Sequence, residues 1–165
     1  MKRLITLLAA GALLAVPAGR ATAQVRAVGD LAPVVTVPDL DGKPVRVGAA
    51  IGQRPALVEF WATWCEICQA LLPRMVAAHQ KYGDRVDFYG VNVTVNESRA
   101  RVKRYIAEHH LPFVPVYDEK GVAVRAFGAP ATSYIVILDK TGHVSYIGSG
   151  ADQNISAELA KVVGK

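Results

Sequence analysis

Only two cysteines, Cys65 and Cys68, occur in the 165 residues of this chain, and they stand three apart. A disulfide between them closes a loop too small to restrain the unfolded chain, so stabilisation explains the pair poorly. A secreted domain stapled by disulfides spreads several pairs over distant loops instead. What the pair does mark is a change of pattern. Before it, residues 56–62 (ALVEFWA) form a short β-branched and aromatic run, apolar on both faces except for Glu59. That is the pattern of a central strand covered on both sides. After it, Ile67, Ala70, Leu71, Met75 and Ala78 recur at three- and four-residue steps. This spacing predicts a helix from Glu66 to about Tyr82, stopped near Gly83. The cysteines therefore lie where a buried strand hands over to a helix.

The rest of the chain alternates in the same way. Asp41-Gly42 suits a tight hairpin between strands near 34–37 and 45–47. A second buried strand is expected over 86–93. Thr94 to Glu97 then offers a capping box, with Asn96 as a rival N-cap, for a helix reaching about His110. A short extended piece at 113–117 and a helical turn near 122–127 follow. Strands at 133–138 and 143–147 flank the hairpin turn Asp139-Lys140-Thr141-Gly142, and a helix over 155–163 closes the chain. The order β-β-β-α-β-α-β-α-β-β-α predicts an α/β fold, a mixed sheet with helices on both faces. No internal repeat interrupts it.

The junction has chemical consequences. The first N–H groups of a helix lack partners, and the macrodipole places partial positive charge there. A thiolate at Cys65 sits in that field, which favours ionisation below the free thiol value of ~8.5. The thiolate is the nucleophile of disulfide exchange. Cys68 lies one turn on, along the same face, within reach to resolve a mixed disulfide on Cys65. Other readings of C-x-x-C fit less well. A zinc site needs four ligands, and no second cysteine pair or H-x₃₋₅-H spacing is present among His79, His109, His110 and His143. A haem attachment motif places histidine after the second cysteine, where this chain has Gln69. An inert buried pair remains the bland alternative.

Composition bounds the function classes. With 52% hydrophobic and 20% charged residues, disorder is excluded. Lys2 and Arg3 precede an apolar run, Leu4 to Val16, and Ala21-Thr22-Ala23 follows as a small-x-small cleavage pattern. Residues 1–23 therefore read as a secretory signal, and residues 24–165 as one mature domain. The run of 13 residues is shorter than the ~20 a spanning helix needs, which argues against the alternative of a membrane anchor. Without Lys2, Arg3 and Arg20, 16 basic residues face 14 acidic ones, too small an excess for nucleic-acid binding. The mature protein is expected to be periplasmic or otherwise exported, soluble, and a monomer.

The run Phe60-Trp61-Ala62-Thr63-Trp64-Cys65-Glu66-Ile67-Cys68 after a strand resembles the active site of the thioredoxin superfamily. It is most similar to the exported TlpA/ResA/DsbE branch. Residues 39–44 (DLDGKP) match that branch's N-terminal β-hairpin, and residues 93–117 match its central strand-helix insertion. The resemblance implies a thioredoxin-like fold and a thiol–disulfide oxidoreductase, with no cofactor and no metal. Cys65 would attack and Cys68 resolve. Implied clients are disulfides of exported proteins, such as apocytochrome c or copper-delivery proteins, with a membrane-bound thiol electron donor. Pro73 takes the place of a helix-kinking proline, and the apolar pattern that continues past it favours a kink over the end of a short helix. Pro130 takes the place of the superfamily's cis-proline, which would set the Ala129 backbone across from Cys65 to hold substrate. Trp64 would shield the thiol.

Glu59, six residues before Cys65, occupies the place of a buried acid. Burial would raise its pKa and suit it to take the Cys68 proton; an exposed acid on a strand face is the alternative. Arg99, Arg101, Lys103 and Arg104 read as a solvated helix face. Glu66 between the cysteines opposes strong thiolate stabilisation, and so favours reduction of clients over their oxidation. Two other classes fit the residues less well. A thiol peroxidase uses Pro-x-x-x-Thr-x-x-Cys, whereas Thr63 is two before Cys65. A Sco-like copper-binding protein spaces its cysteines C-x-x-x-C and adds a histidine near the Pro130 position.

Overall fold

The computed structural model describes residues 27–48 and 53–164; the expected signal and its cleavage site lie outside them. Strands β1 (Val35–Pro38) and β2 (Pro44–Val47) form the hairpin. They are followed by β3 (Ala56–Trp61), α1 (Glu66–Tyr82), β4 (Asp87–Asn92), α2 (Arg99–His109), β5 (Val114–Tyr117) and α3 (Val122–Phe127). Strands β6 (Tyr134–Leu138) and β7 (Val144–Ser149) and helix α4 (Ile155–Val163) complete the chain. This is the expected order of elements.

The main sheet runs β5-β4-β3-β6-β7. β3 pairs in parallel with β4 and antiparallel with β6, and every residue of β3 is buried. Strand alternation splits its side chains between two layers. Val58 and Phe60 join Val37, Val47, Ala123 and Phe127 on the side of the hairpin and α3. Leu57 joins Leu71, Met75, Ile155 and Leu159 on the side of α1 and α4. Glu59 and Trp61 share the parity of Leu57, so they face the helical layer that carries the cysteines.

Both hairpin turns rest on an aspartate at the same place. Asp39 Oδ1 accepts from the N–H groups of Asp41 and Lys43, and Asp139 Oδ1 from those of Thr141 and His143. Gly42 and Gly142 supply the positive φ each turn requires, +86° and +87°. The segment from Leu31 through β1 to Asp39 also ties down both sides of the main sheet. Leu31 bridges to His143 beside β7, and Asp39 bridges to Val116 of β5.

The structure departs from the sequence expectation in two places. Helix α2 does not begin on a Thr94–Glu97 capping box or on Asn96. Its N-cap is Ser98, whose Oγ accepts from the Arg101 N–H. Thr94 and Asn96 both adopt left-handed backbone, φ 61° and 53°, a conformation that is costly for a β-branched residue such as Thr94. The box fails because Glu97 turns away from its own helix, as described below. Nor are the basic residues of α2 all a free solvated face. Arg99 donates to the Asp39 carbonyl and stacks 4.4 Å from the Tyr117 ring, and Lys103 pairs with Asp41. Two of the four therefore fasten α2 to the hairpin and to β5. Helix α1 continues through Pro73, so that proline does not end it.

Candidate active site

Cys65 is the N-cap of α1. Its backbone is extended (φ −84°, ψ 96°), and its Sγ accepts the Cys68 N–H at 3.1 Å. One of the orphan donors of the helix start is thus satisfied by sulfur. The two sulfurs are joined as a disulfide, with Cα atoms 5.2 Å apart. Both cysteines are largely covered, while Glu66 between them is exposed.

Glu59 lies beneath this junction and is only 3% exposed. Burial alone raises its pKa to about 8. Glu59 and Cys68 line one small cavity of about 10 Å³, together with Trp61, Gln69 and Tyr105. That is close to the least volume that admits one water. Gly90 stands beside Glu59 on β4, and a Cβ there would lie 2.1 Å from the Phe113 ring. The missing side chain lets Phe113, another wall of the cavity, lie across β4. Sequence reasoning offered an exposed acid as the alternative for Glu59; the structure places it inside.

The turn between β3 and α1 is held from outside by the loop before α2. Thr63 is 6% exposed. Its N–H donates to Glu97 Oε1, and its Oγ donates to Oε2 at 3.1 Å. The Trp64 Nε1–H donates to the Val95 carbonyl at 2.7 Å, leaving the indole 43% exposed. Gln69 Nε2 reaches the Thr63 carbonyl. Glu97, Thr63 and Val95 were not among the site residues expected from the sequence. The one signal, the T-x-x-E spacing, points to a different role.

Trp64, Ala129 and Pro130 line one open groove of about 450 Å³, along with Val93, Val95 and Thr132. The structure thus brings the three expected substrate-side residues together. It departs from the cis expectation: no described peptide bond is cis, so Ala129–Pro130 is trans. Pro130 is exposed, and Ala131, Thr132 and Ser133 separate it from β6. Ser133, buried with φ 57°, is the residue that enters the strand.

Residues 27–163 match the Redoxin family. The chain belongs to that family. Among relatives of this redoxin is the thiol-disulfide oxidoreductase ResA of Geobacillus thermodenitrificans, 31% identical, with 75% of this chain aligned to 70% of that protein. The ResA of Bacillus thuringiensis subsp. konkukian is 28% identical over 71% of this chain, which spans 66% of that relative's length. Among solved structures, a putative thiol:disulfide interchange protein DsbE from Chlorobium tepidum superposes with a TM-score of 0.71. It is 23% identical and covers 84% of this chain and 99% of its own. The thioredoxin-like fold and the resemblance to the TlpA/ResA/DsbE branch are borne out.

Proposed function

We propose that this redoxin is an exported thiol–disulfide oxidoreductase that reduces disulfides of cell-envelope proteins. The observation that carries the reading is the Cys65 sulfur at the helix N-cap, accepting the Cys68 N–H above a buried, protonatable Glu59. In the dithiol form that N–H and the helix field favour a sulfur anion at Cys65. The Cys65 thiolate attacks one sulfur of a client disulfide; the S–S bond breaks, and the other client sulfur leaves as thiolate. Ionised Glu59 takes the Cys68 proton, and the Cys68 sulfur attacks Cys65 Sγ. The second client sulfur then leaves. The client has gained two electrons, and Cys65–Cys68 has become the disulfide. A dithiol donor, expected at the membrane, returns the pair to its reduced form.

The name of the ResA relatives supports exchange chemistry. The exposed charge of Glu66, which opposes thiolate stabilisation, supports reduction over oxidation. Residues 1–23 would act as a cleaved signal, delivering residues 24–165 to the periplasm or an equivalent compartment as a monomer. No described helix is long and apolar enough to cross a membrane. Apocytochrome c during cytochrome c biogenesis, or a copper-delivery protein, would supply the client cysteines. Trp64, Ala129 and Pro130 would line the client groove.

Trapping tests both roles and partners. Expressed with its leader, Cys68→Ala should accumulate mixed disulfides on Cys65, identifiable by mass spectrometry. If Cys65→Ala traps as much, attacker and resolver are exchanged. If neither variant traps a protein, while reduced parent consumes peroxide or binds copper tightly, the peroxidase or Sco-like reading replaces this one.

A further inference from the structure

Glu97 is the unexpected participant at the junction. Its carboxylate spends both oxygens on a single residue, Thr63, which lies 34 positions away. Charge-assisted bonds of this kind are stronger and more directional than neutral ones. The backbone of Glu97 is itself anchored, because the Tyr117 hydroxyl donates to its carbonyl and the Arg99 guanidinium covers the Tyr117 ring. A cost is visible nearby: Thr94, a β-branched residue, carries left-handed backbone. Such strain persists only where surrounding structure over-determines it. What this arrangement holds in place is the residue after Thr63. Trp64 is tethered to Val95 by its indole N–H, so the exposed ring forms a fixed wall of the groove that Ala129 and Pro130 also line.

We propose that Glu97 is a positioning residue for client binding: by holding Thr63 through two hydrogen bonds it keeps the Trp64 indole docked on the Val95 carbonyl as a preformed wall of the groove. The proposal rests on the reading of that groove as the client site. A ring fixed before the client arrives need not be ordered during binding, and preformed contacts of this sort strengthen association without touching the reacting sulfurs. Glu97 thus acts on how tightly a client is held and leaves the sulfur chemistry alone.

The test uses reduced Cys68→Ala protein and two probes. One is a short extended peptide whose single cysteine carries a nitrothiobenzoate mixed disulfide; the other is the small disulfide dithiobis(nitrobenzoate). In each, the Cys65 thiolate bonds to one sulfur and a coloured nitrothiobenzoate thiolate leaves. Adding Glu97→Ala should raise the half-saturating peptide concentration roughly ten-fold. The limiting rate and the rate with the small probe should change less than about two-fold. Glu97→Gln, which retains a carbonyl acceptor for the Thr63 N–H, should recover most of the loss. Thr63→Val, which loses only the hydroxyl bond, should show a smaller rise and serves if Glu97→Ala fails to fold.

In a Trp64→Ala background, Glu97→Ala should add less than about two-fold, because the two act as a unit. A full Glu97 effect without Trp64, or a fall in limiting rate with half-saturation unchanged, overturns the proposal. A parent that saturates with peptide while Glu97→Ala behaves identically overturns it alone. A parent that never saturates overturns the client-groove reading, and this proposal with it.

Discussion

Two strand-to-helix junctions stand side by side in this molecule, one leading from β3 into α1 and the other from β4 into α2, and they are built on opposite principles. The first is local. A buried strand ends, and Cys65 caps the helix with its own side chain. The atom that starts the helix is also the atom that reacts. The second is assembled from distant parts. Thr94 and Asn96 take left-handed backbone, Glu97 reaches across to Thr63, Arg99 binds the Asp39 carbonyl, and Ser98 is left to cap. Chemistry sits at the junction whose helix is capped by its own first residue, and the other one braces that turn from outside.

The largest expected effect separates cap from chemistry at the first junction. Serine is a good N-cap, so Cys65→Ser should keep α1 and leave the thermal midpoint of the reduced protein within a few degrees. Exchange with a protein disulfide should fall on the order of a thousand-fold or more. A variant that keeps a tenth of the parent rate would show that Cys65 is not the attacker.

Next comes Glu59, directly beneath that junction. Glu59→Gln should slow release of client from a preformed Cys65 mixed disulfide by roughly ten- to a hundred-fold near pH 7, read by stopped-flow. It also carries a signed effect on stability. The folded-state pKa is raised from 4.5 to about 8. Stability from keeping Glu59 protonated is therefore fully present below the unfolded value and is lost as pH climbs through about 8. Relative to parent, Glu59→Gln should gain on the order of 3 kcal/mol in denaturant titrations between pH 5 and pH 9. An equal difference at both pH values would mean that the carboxyl is not buried in its neutral form.

The smallest effects belong to the second junction. Ser98→Ala should cost about 1 kcal/mol, whereas Thr94→Ala should cost nothing through capping. Chemical denaturation of both variants decides between them. The reverse ranking would restore the capping box and erase the contrast between the junctions.

That contrast also explains what could be read in advance. The order of strands and helices followed from periodicity, because a fully buried β3 and a one-sided α1 write their burial directly into residue spacing. The cysteine pair was legible for the same reason, since strand, cap and helix are contiguous. Glu59 could be placed on the strand and its burial expected from its apolar neighbours, but not the walls around it, because Phe113, which lines the same cavity, comes from far along the chain and lies against Gly90. The Glu97–Thr63 contact was invisible. T-x-x-E reads the same whether glutamate folds back on its own helix or joins a loop 34 residues earlier. Pro130 shows the limit of likeness. The residue type stands close to the expected place, but Ala131, Thr132 and Ser133 intervene before β6 and the peptide is trans.

The strap formed by residues 31–39 has a bearing on when this protein can finish folding. Its contacts at Val116 and His143 belong to segments that a ribosome delivers long after the strap itself. One margin of the β-structure therefore waits for Val116, and the other for His143 near the end of the polypeptide. Separations of this length slow the search for the native arrangement. A chain so arranged closes its outermost seams late, after most of the sheet they border has been made.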